Sequence, residues 1–226
     1  MLVAILTGAL LLAQQSEPGA VKPDPILQPV EDVAGLPRVL LIGDSISMGY
    51  TLGVRQKLAG KANVHRILEN GGPTINGIAK VDQWLGDRQW DLVHVNFGLH
   101  DLKREDGQNR QVSPEDYERN LRDIVRKLKA KSKYVVWAST TPVPEGKVSP
   151  HRVPSDVPLY NAIAAKVMRD EHVPIDDLYA FTLPHLATWQ RPVNVHFVEA
   201  GSEALAAQVA TIVAKTLQLK IEPALR

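Results

Sequence analysis

The sequence predicts an α/β fold in which helices cover both faces of a parallel sheet. Short apolar runs alternate along the chain with amphipathic stretches, which is typical of such sheets. The first run, Val39 to Ile42, is apolar at every position, as expected of a strand buried on both faces. The chain has 226 residues, which is enough for one domain and a short appendage.

Five strands and six helices are expected in alternation. Ser113-Pro114-Glu115-Asp116 marks one helix start, with a capping serine, a first-turn proline and acids at the positive end of the helix dipole. Asp156 is expected to cap the next helix. The strands are predicted at 39–42, 64–68, 92–97, 134–138 and 173–175, and the other helices at 47–59, 75–85, 158–171, 176–189 and 199–217.

Charge and composition exclude several classes of function. The 26 basic and 25 acidic residues leave a formal net charge of +1, which gives no support for general binding of nucleic acid or of an anionic membrane. The chain has no cysteine, so disulfides, thiolate metal sites and a cysteine nucleophile are excluded. The histidines lack the spacing of a metal site, and we expect no metal.

The N-terminal region is predicted to lie outside the domain. Leu2 to Ala13 is an almost unbroken apolar run, too short to cross a bilayer but typical of a secretory signal. We therefore expect a signal peptide at 1–20, a proline-rich linker at 21–37 and the domain at 38–226, in a secreted or periplasmic protein without stable membrane insertion. No Lys or Arg precedes the apolar run, so a disordered apolar terminus remains an alternative.

Polar residues and glycines follow the predicted strands, at the edge where parallel sheets bind ligands. Ser45 follows the first strand, at the start of a helix, where it is either a nucleophile or a helix cap. Gly71-Gly72 follows the second strand and Gly98-Leu99-His100-Asp101 the third. His196 lies in a loop before the last helix, where a base can reach across to Ser45.

These segments together resemble the SGNH (GDSL-type) hydrolase superfamily over about residues 38–217. The resemblance rests on Gly43-Asp44-Ser45, the glycine after the second strand, Gly98-x-x-Asp101 and the Val195-His196-Phe197 loop. It implies a three-layer α/β/α, flavodoxin-like fold with about five mostly parallel strands. It also implies Ser45 as nucleophile, His196 as base, and an oxyanion hole formed by Ser45, Gly72 and the residue at position 100.

The sequence departs from the family pattern at two positions. The family has an asparagine where this chain has His100, whose imidazole N–H can still donate to an oxyanion. The family's histidine-orienting aspartate is replaced by Val193. We expect a main-chain carbonyl within 190–194 to orient His196, with Asn194, Asp176 and Asp177 as the other candidates.

The resemblance implies acyl transfer to water without a cofactor. We expect a serine esterase acting on small acyl esters, acetyl foremost, borne on small molecules or polysaccharides. Trp189, seven residues before His196, is the tryptophan expected to contact substrate. The alternatives are a lysophospholipase or thioesterase of the same superfamily, and a non-catalytic carbohydrate-binding protein on a decayed hydrolase scaffold.

Overall fold

The computed structural model describes residues 24–105 and 108–220. It confirms the α/β fold with five parallel strands in one sheet, in the order β2-β1-β3-β4-β5. The strands are β1 Arg38–Ile42, β2 Asn63–Arg66, β3 Trp90–Val95, β4 Ser132–Ala138 and β5 Ile175–Asp176. The helices are α1 Ser45–Lys57, α2 Thr74–Leu85, α3 Pro114–Lys131, α4 Asp156–Asp170, α5 Leu178–Thr182, α6 Leu186–Trp189 and α7 Glu199–Leu217.

The helices form two layers around this sheet. Helices α1 and α7 pack together in one layer, and α2, α3 and α4 pack in series in the other. The central strands β1 and β3 are almost fully buried, because both of their faces are covered. This strand order places the switch in winding direction between β1 and β3, which is where ligands bind in doubly wound sheets.

Most predicted elements are present, and two local predictions are wrong. Ser113 accepts a hydrogen bond from the N–H of Asp116 and caps α3 as expected. Asp156 lies inside α4 and pairs with Arg104 and Arg110, so it is not the cap. The helix expected at 176–189 is broken into α5, a 3₁₀ turn and α6.

The segment 24–37, predicted as part of a linker, is bound to the domain. Asn63 exchanges side-chain hydrogen bonds with the backbone of Val33, and Arg55 donates to the carbonyls of Pro25 and Gln28. The predicted signal peptide lies outside the described residues. Within the described residues, no helix is both long and apolar enough to span a membrane.

The turn after β3 requires a glycine at position 98. Gly98 has φ +155°, and a Cβ there would lie 2.0 Å from Thr140 Oγ1. Thr140 cannot easily move, because its N–H and carbonyl bind the side chain of Asn161. Gly98 therefore lets the loops after β3 and β4 approach closely beside the sheet edge.

Gly98→Ala is expected to lower the free energy of unfolding by about 1–3 kcal/mol or more, because the added methyl overlaps Thr140. Gly60→Ala is the matched control. Gly60 also has positive φ, +69°, but has open space around its Cβ position, so only the backbone cost of about 1 kcal/mol applies. Urea unfolding measures both, and equal losses would contradict the steric explanation.

Candidate active site

Ser45 is the first residue of α1 and lies at the carboxyl end of β1. The cap of this helix is Asp44, whose carboxylate accepts the N–H of Ile46 at 2.9 Å. The Ser45 hydroxyl therefore does not cap the helix, which was the alternative to a nucleophile in the sequence analysis. It lies 2.8 Å from Nε2 of His196, although 151 residues separate the two in sequence.

The side chain of Asn194 orients His196. Asn194 Oδ1 lies 2.9 Å from the backbone nitrogen of His196 and 2.7 Å from its Nδ1. The backbone N–H must donate, so Oδ1 is the acceptor of both bonds and Nδ1 carries the ring proton. Nε2 is then unprotonated and can take the proton of Ser45.

The expected main-chain acceptor is therefore wrong, and the two aspartates lie elsewhere. Asp176 is buried and accepts hydrogen bonds from His94 and Gln208. Asp177 caps α5 and accepts the hydroxyl of Ser139. Of the candidate groups, Asn194 is the one in contact with the His196 ring.

The loop that carries His196 is held in a turned conformation. Val193 has φ +50°, a rare conformation for a β-branched residue. Its side chain faces Gly146, where an added Cβ would lie 3.3 Å from Val193 Cγ1. The N–H of Arg191 donates to the carbonyl of His196 across this turn. The turned backbone brings Asn194, two residues before His196, to the position of the orienting group.

The surroundings of His196 lower its pKa. Burial against the site is the largest cause, and the charges of Arg191 and Arg152 act in the same direction, while Asp44 opposes them. A lowered pKa keeps the imidazole neutral at neutral pH, which is the state that a general base needs.

The oxyanion hole differs from expectation at Gly72. Its N–H donates to Asn70 Oδ1 at 2.9 Å, so it is engaged within its own loop. The N–H of Ser45 lies in the first turn of α1, where no intrahelical acceptor exists. The Ser45 N–H is therefore available to donate to a bound group.

His100 lies close enough to Asp44 and His196 for their charges to act on it. Its ring is half-buried, and burial, followed by the charges of Lys103, Arg152 and His196, holds its pKa below the usual value. Asp101 follows it and is fully buried, accepting the N–H of Thr74 at 2.8 Å. This bond fixes the loop after β3 to the start of α2.

Arg66, at the end of β2, is a site residue that sequence reasoning missed. It is 3% exposed, and its Nη2 donates to the carbonyls of Gly43 and Asp44 and to the Ser47 hydroxyl. Its Nη1 donates to the carbonyls of Ile67 and Glu69. The signal in the sequence was an arginine inside the predicted strand 64–68, next to the predicted site.

A cavity of about 240 Å³ opens beside Ser45 and His196. Trp189 is not among its lining residues; it stacks on His185 at 4.1 Å and packs against Phe181, so its expected substrate contact is not supported. The cavity is lined by Ser45, Ile46, Gly49, Arg191, His196, Phe197 and Ser202.

Comparison with known proteins agrees with this geometry. The model of the GDSL-like Lipase/Acylhydrolase family matches residues 41–204, which is most of the chain. The chain belongs to this family. As a GDSL-like acylhydrolase it is an ester hydrolase, and the matched range contains both Ser45 and His196. No curated protein matches the chain by sequence.

Several solved structures share the fold. A lipase/acylhydrolase from Enterococcus faecalis has a TM-score of 0.70 at 20% identity, covering 84% of this chain and 100% of its own. The acetyl xylan esterase AlAXEase has a TM-score of 0.68 at 16% identity, covering 78% and 99%. An acetylxylan esterase from Geobacillus stearothermophilus has a TM-score of 0.63 at 16% identity, covering 84% and 97%.

Replacing Asn194 tests the orientation of His196 directly. In Asn194→Ala, Nδ1 loses its acceptor, and kcat is expected to fall by about 10²–10⁴, the upper value being that for a wrong tautomer in serine proteases. Asn194→Asp adds a negative charge that raises the pKa of His196. The acid limb of kcat/KM against pH should then move from below about 6.5 to higher pH.

The control for both variants is Asp177→Asn, which is expected to keep kcat within about tenfold because Asp177 does not touch His196. An Asn194→Ala enzyme with normal kcat, or a pH profile that does not move in Asn194→Asp, would contradict this assignment.

Proposed function

We propose that this acylhydrolase removes small acyl groups, acetyl foremost, from esters, including esters on carbohydrates. The observation that carries the proposal is the Ser45–His196–Asn194 hydrogen-bond chain beside a cavity of about 240 Å³. Two of the similar structures are described as acetyl xylan esterases, and this supports the choice of acetyl.

In the proposed mechanism, Ser45 Oγ attacks the ester carbonyl carbon while His196 Nε2 takes its proton. The N–H of Ser45 and the ring of His100 stabilise the oxyanion. His196 then protonates the departing alkoxide, which leaves an acyl-Ser45. Water attacks the acyl group, gives its proton to His196, and releases the acid as Ser45 recovers its proton.

The likeness to acetyl xylan esterases favours an acetyl group over the long acyl chain of a lysophospholipid. The short Ser45–His196 distance favours catalysis over the non-catalytic carbohydrate-binding alternative, since sugar binding alone gives no reason to pair these groups. Export to a secreted or periplasmic location remains a prediction from Leu2 to Ala13.

A fluorophosphonate probe is expected to add its mass to Ser45 of the folded protein, because His196 activates this hydroxyl for covalent attack. Peptide mass spectrometry locates the adduct. The Ser45→Ala variant and urea-unfolded protein serve as controls, and neither should react. Folded wild-type protein that stays unlabelled, and that releases no acetate from acetyl esters, would overturn the proposal in favour of a binding protein.

A further inference from the structure

Three cations act on the two histidines of the candidate active site. Arg191 lines the cavity together with Ser45 and His196, and its side chain is exposed. Arg152 is 4% exposed, and its Nε donates at 2.6 Å to the carbonyl of Leu99, the residue before His100. Lys103 follows His100 by three residues and acts on its charge state.

The positive charge at this place is not neutralised by ion pairs. Among the residues that the structure describes, neither Lys103, Arg152 nor Arg191 forms a salt bridge with a carboxylate. The hydrogen bonds of Arg152 go to the neutral carbonyls of Leu99 and Pro150.

Negative groups also lie near the site. Asp44 is buried beneath Ser45, where it caps α1, and its charge raises the pKa of His196 against the effect of Arg191 and Arg152. Glu105 lies close to Lys103, and Glu145 lines a neighbouring groove that it shares with Arg191. Of the three cations, Arg191 is the one that both lines the cavity and is exposed, so it is the one that a substrate can reach.

We propose that the preferred substrate is an ester whose non-reacting part carries an anionic group, such as a carboxylate or a phosphate, that binds Arg191 beside the acyl cavity. This inference rests on the proposed esterase function and specifies its substrate class. Arginine suits this role because its planar fork can bind either oxyanion group through two parallel hydrogen bonds.

The test compares matched acetyl esters. O-acetyl methyl glucuronoside carries a carboxylate, O-acetyl glucose phosphate carries a phosphate, and O-acetyl methyl glucoside is neutral. We expect kcat/KM for one or both anionic esters to exceed that of the neutral ester by about tenfold or more, and 0.5 M NaCl to reduce the ratio, because salt screens exposed charges. Comparison of the two anionic esters identifies the source of the charge.

Arg191→Gln is expected to reduce the anionic-to-neutral ratio by about tenfold, consistent with the loss of one charge-assisted contact. The substitution should also shift the acid limb of kcat/KM against pH to higher pH, because His196 loses a nearby positive charge and its pKa rises. The control is Arg169→Gln, at the C-terminal end of α4, which should leave the ratio unchanged.

Equal kcat/KM for neutral and anionic esters, or an unchanged ratio in Arg191→Gln, would overturn this proposal while leaving the esterase function intact. Absence of acetate release from every ester, together with absence of probe labelling, would instead overturn the esterase function itself.

A second inference concerns Arg66, whose contacts are independent of the cations around the cavity. In a trans peptide unit the C=O and N–H point in opposite directions. The carbonyl of Asp44 belongs to the same unit as the N–H of Ser45. It accepts hydrogen bonds from the Ser47 hydroxyl at 2.8 Å, from the N–H of Met48 at 3.1 Å and from Arg66 Nη2 at 3.1 Å, and Arg66 is the charged donor of the three. The Ser45 N–H is therefore directed away from Arg66.

We infer that Arg66 is a positioning residue that fixes and polarises the Ser45 N–H as an oxyanion donor. Its other terminal nitrogen, Nη1, donates to the carbonyls of Ile67 and Glu69, so Arg66 also connects the loop after β2 to the start of α1. Burial lowers the pKa of Arg66 to about 10, so the guanidinium remains charged at neutral pH. A positive charge on the carbonyl side of the peptide makes the N–H a stronger donor.

Arg66→Gln is expected to lower kcat for p-nitrophenyl acetate by about 10²–10³, the range for loss of one oxyanion donor, with KM within about threefold. Arg66→Lys keeps the positive charge but loses the planar guanidinium, so its kcat should lie between that of Arg66→Gln and that of the wild type. If Arg66→Gln does not fold, Arg66→Lys is measured in its place. The matched control is Arg55→Gln. Arg55 also holds backbone carbonyls, those of Val64, Pro25 and Gln28, but away from Ser45, so its loss should lower stability and leave kcat unchanged.

A folded Arg66→Gln or Arg66→Lys protein with the kcat of the wild type would overturn this inference and make Arg66 purely structural. Thermal unfolding of all three variants shows whether the measured kcat belongs to folded protein.

Discussion

The hydrogen bond between Ser45 Oγ and His196 Nε2 depends on nearly every large feature of this fold. The two residues are 151 positions apart, and they meet at 2.8 Å because one follows β1 and the other precedes α7, which packs against α1. The winding of the sheet opens the edge between β1 and β3 at this point. The core therefore stabilises the fold and at the same time sets the distance on which proton transfer depends.

Much of this arrangement could be predicted from the sequence because it follows from periodicity and local chemistry. Apolar runs and helix signals located the five strands, and α7 begins and ends where predicted. The positions of Ser45 and His196 followed from the rule that parallel strands present their carboxyl ends at one edge. Such patterns locate backbone elements well, since burial of their apolar faces drives their formation.

The details of the site could not be predicted in the same way, since they depend on where individual side chains turn. Asn194 meets the His196 ring in a loop where Val193 has positive φ, a conformation that the sequence does not indicate at a β-branched residue. The Gly72 N–H is taken by the side chain of Asn70, a local bond that competes with the family role. Arg66 lies in a strand that the sequence predicts to be buried. The five oxygen atoms that accept its hydrogen bonds come from loops and from α1, and their positions could not be predicted from the strand pattern.

The turn at Val193 also bears on how the site can change by substitution. At this backbone conformation the side chain of residue 193 faces Gly146, while residue 194 faces the histidine. An aspartate introduced at position 193 would place its carboxylate against Gly146, away from the imidazole. The family's acid cannot be restored by one replacement; the backbone must also turn, and that turn would withdraw Asn194. The two arrangements thus differ in backbone as well as in side chain, within a loop whose ends are held together by the bridge between Gln190 and Phe197.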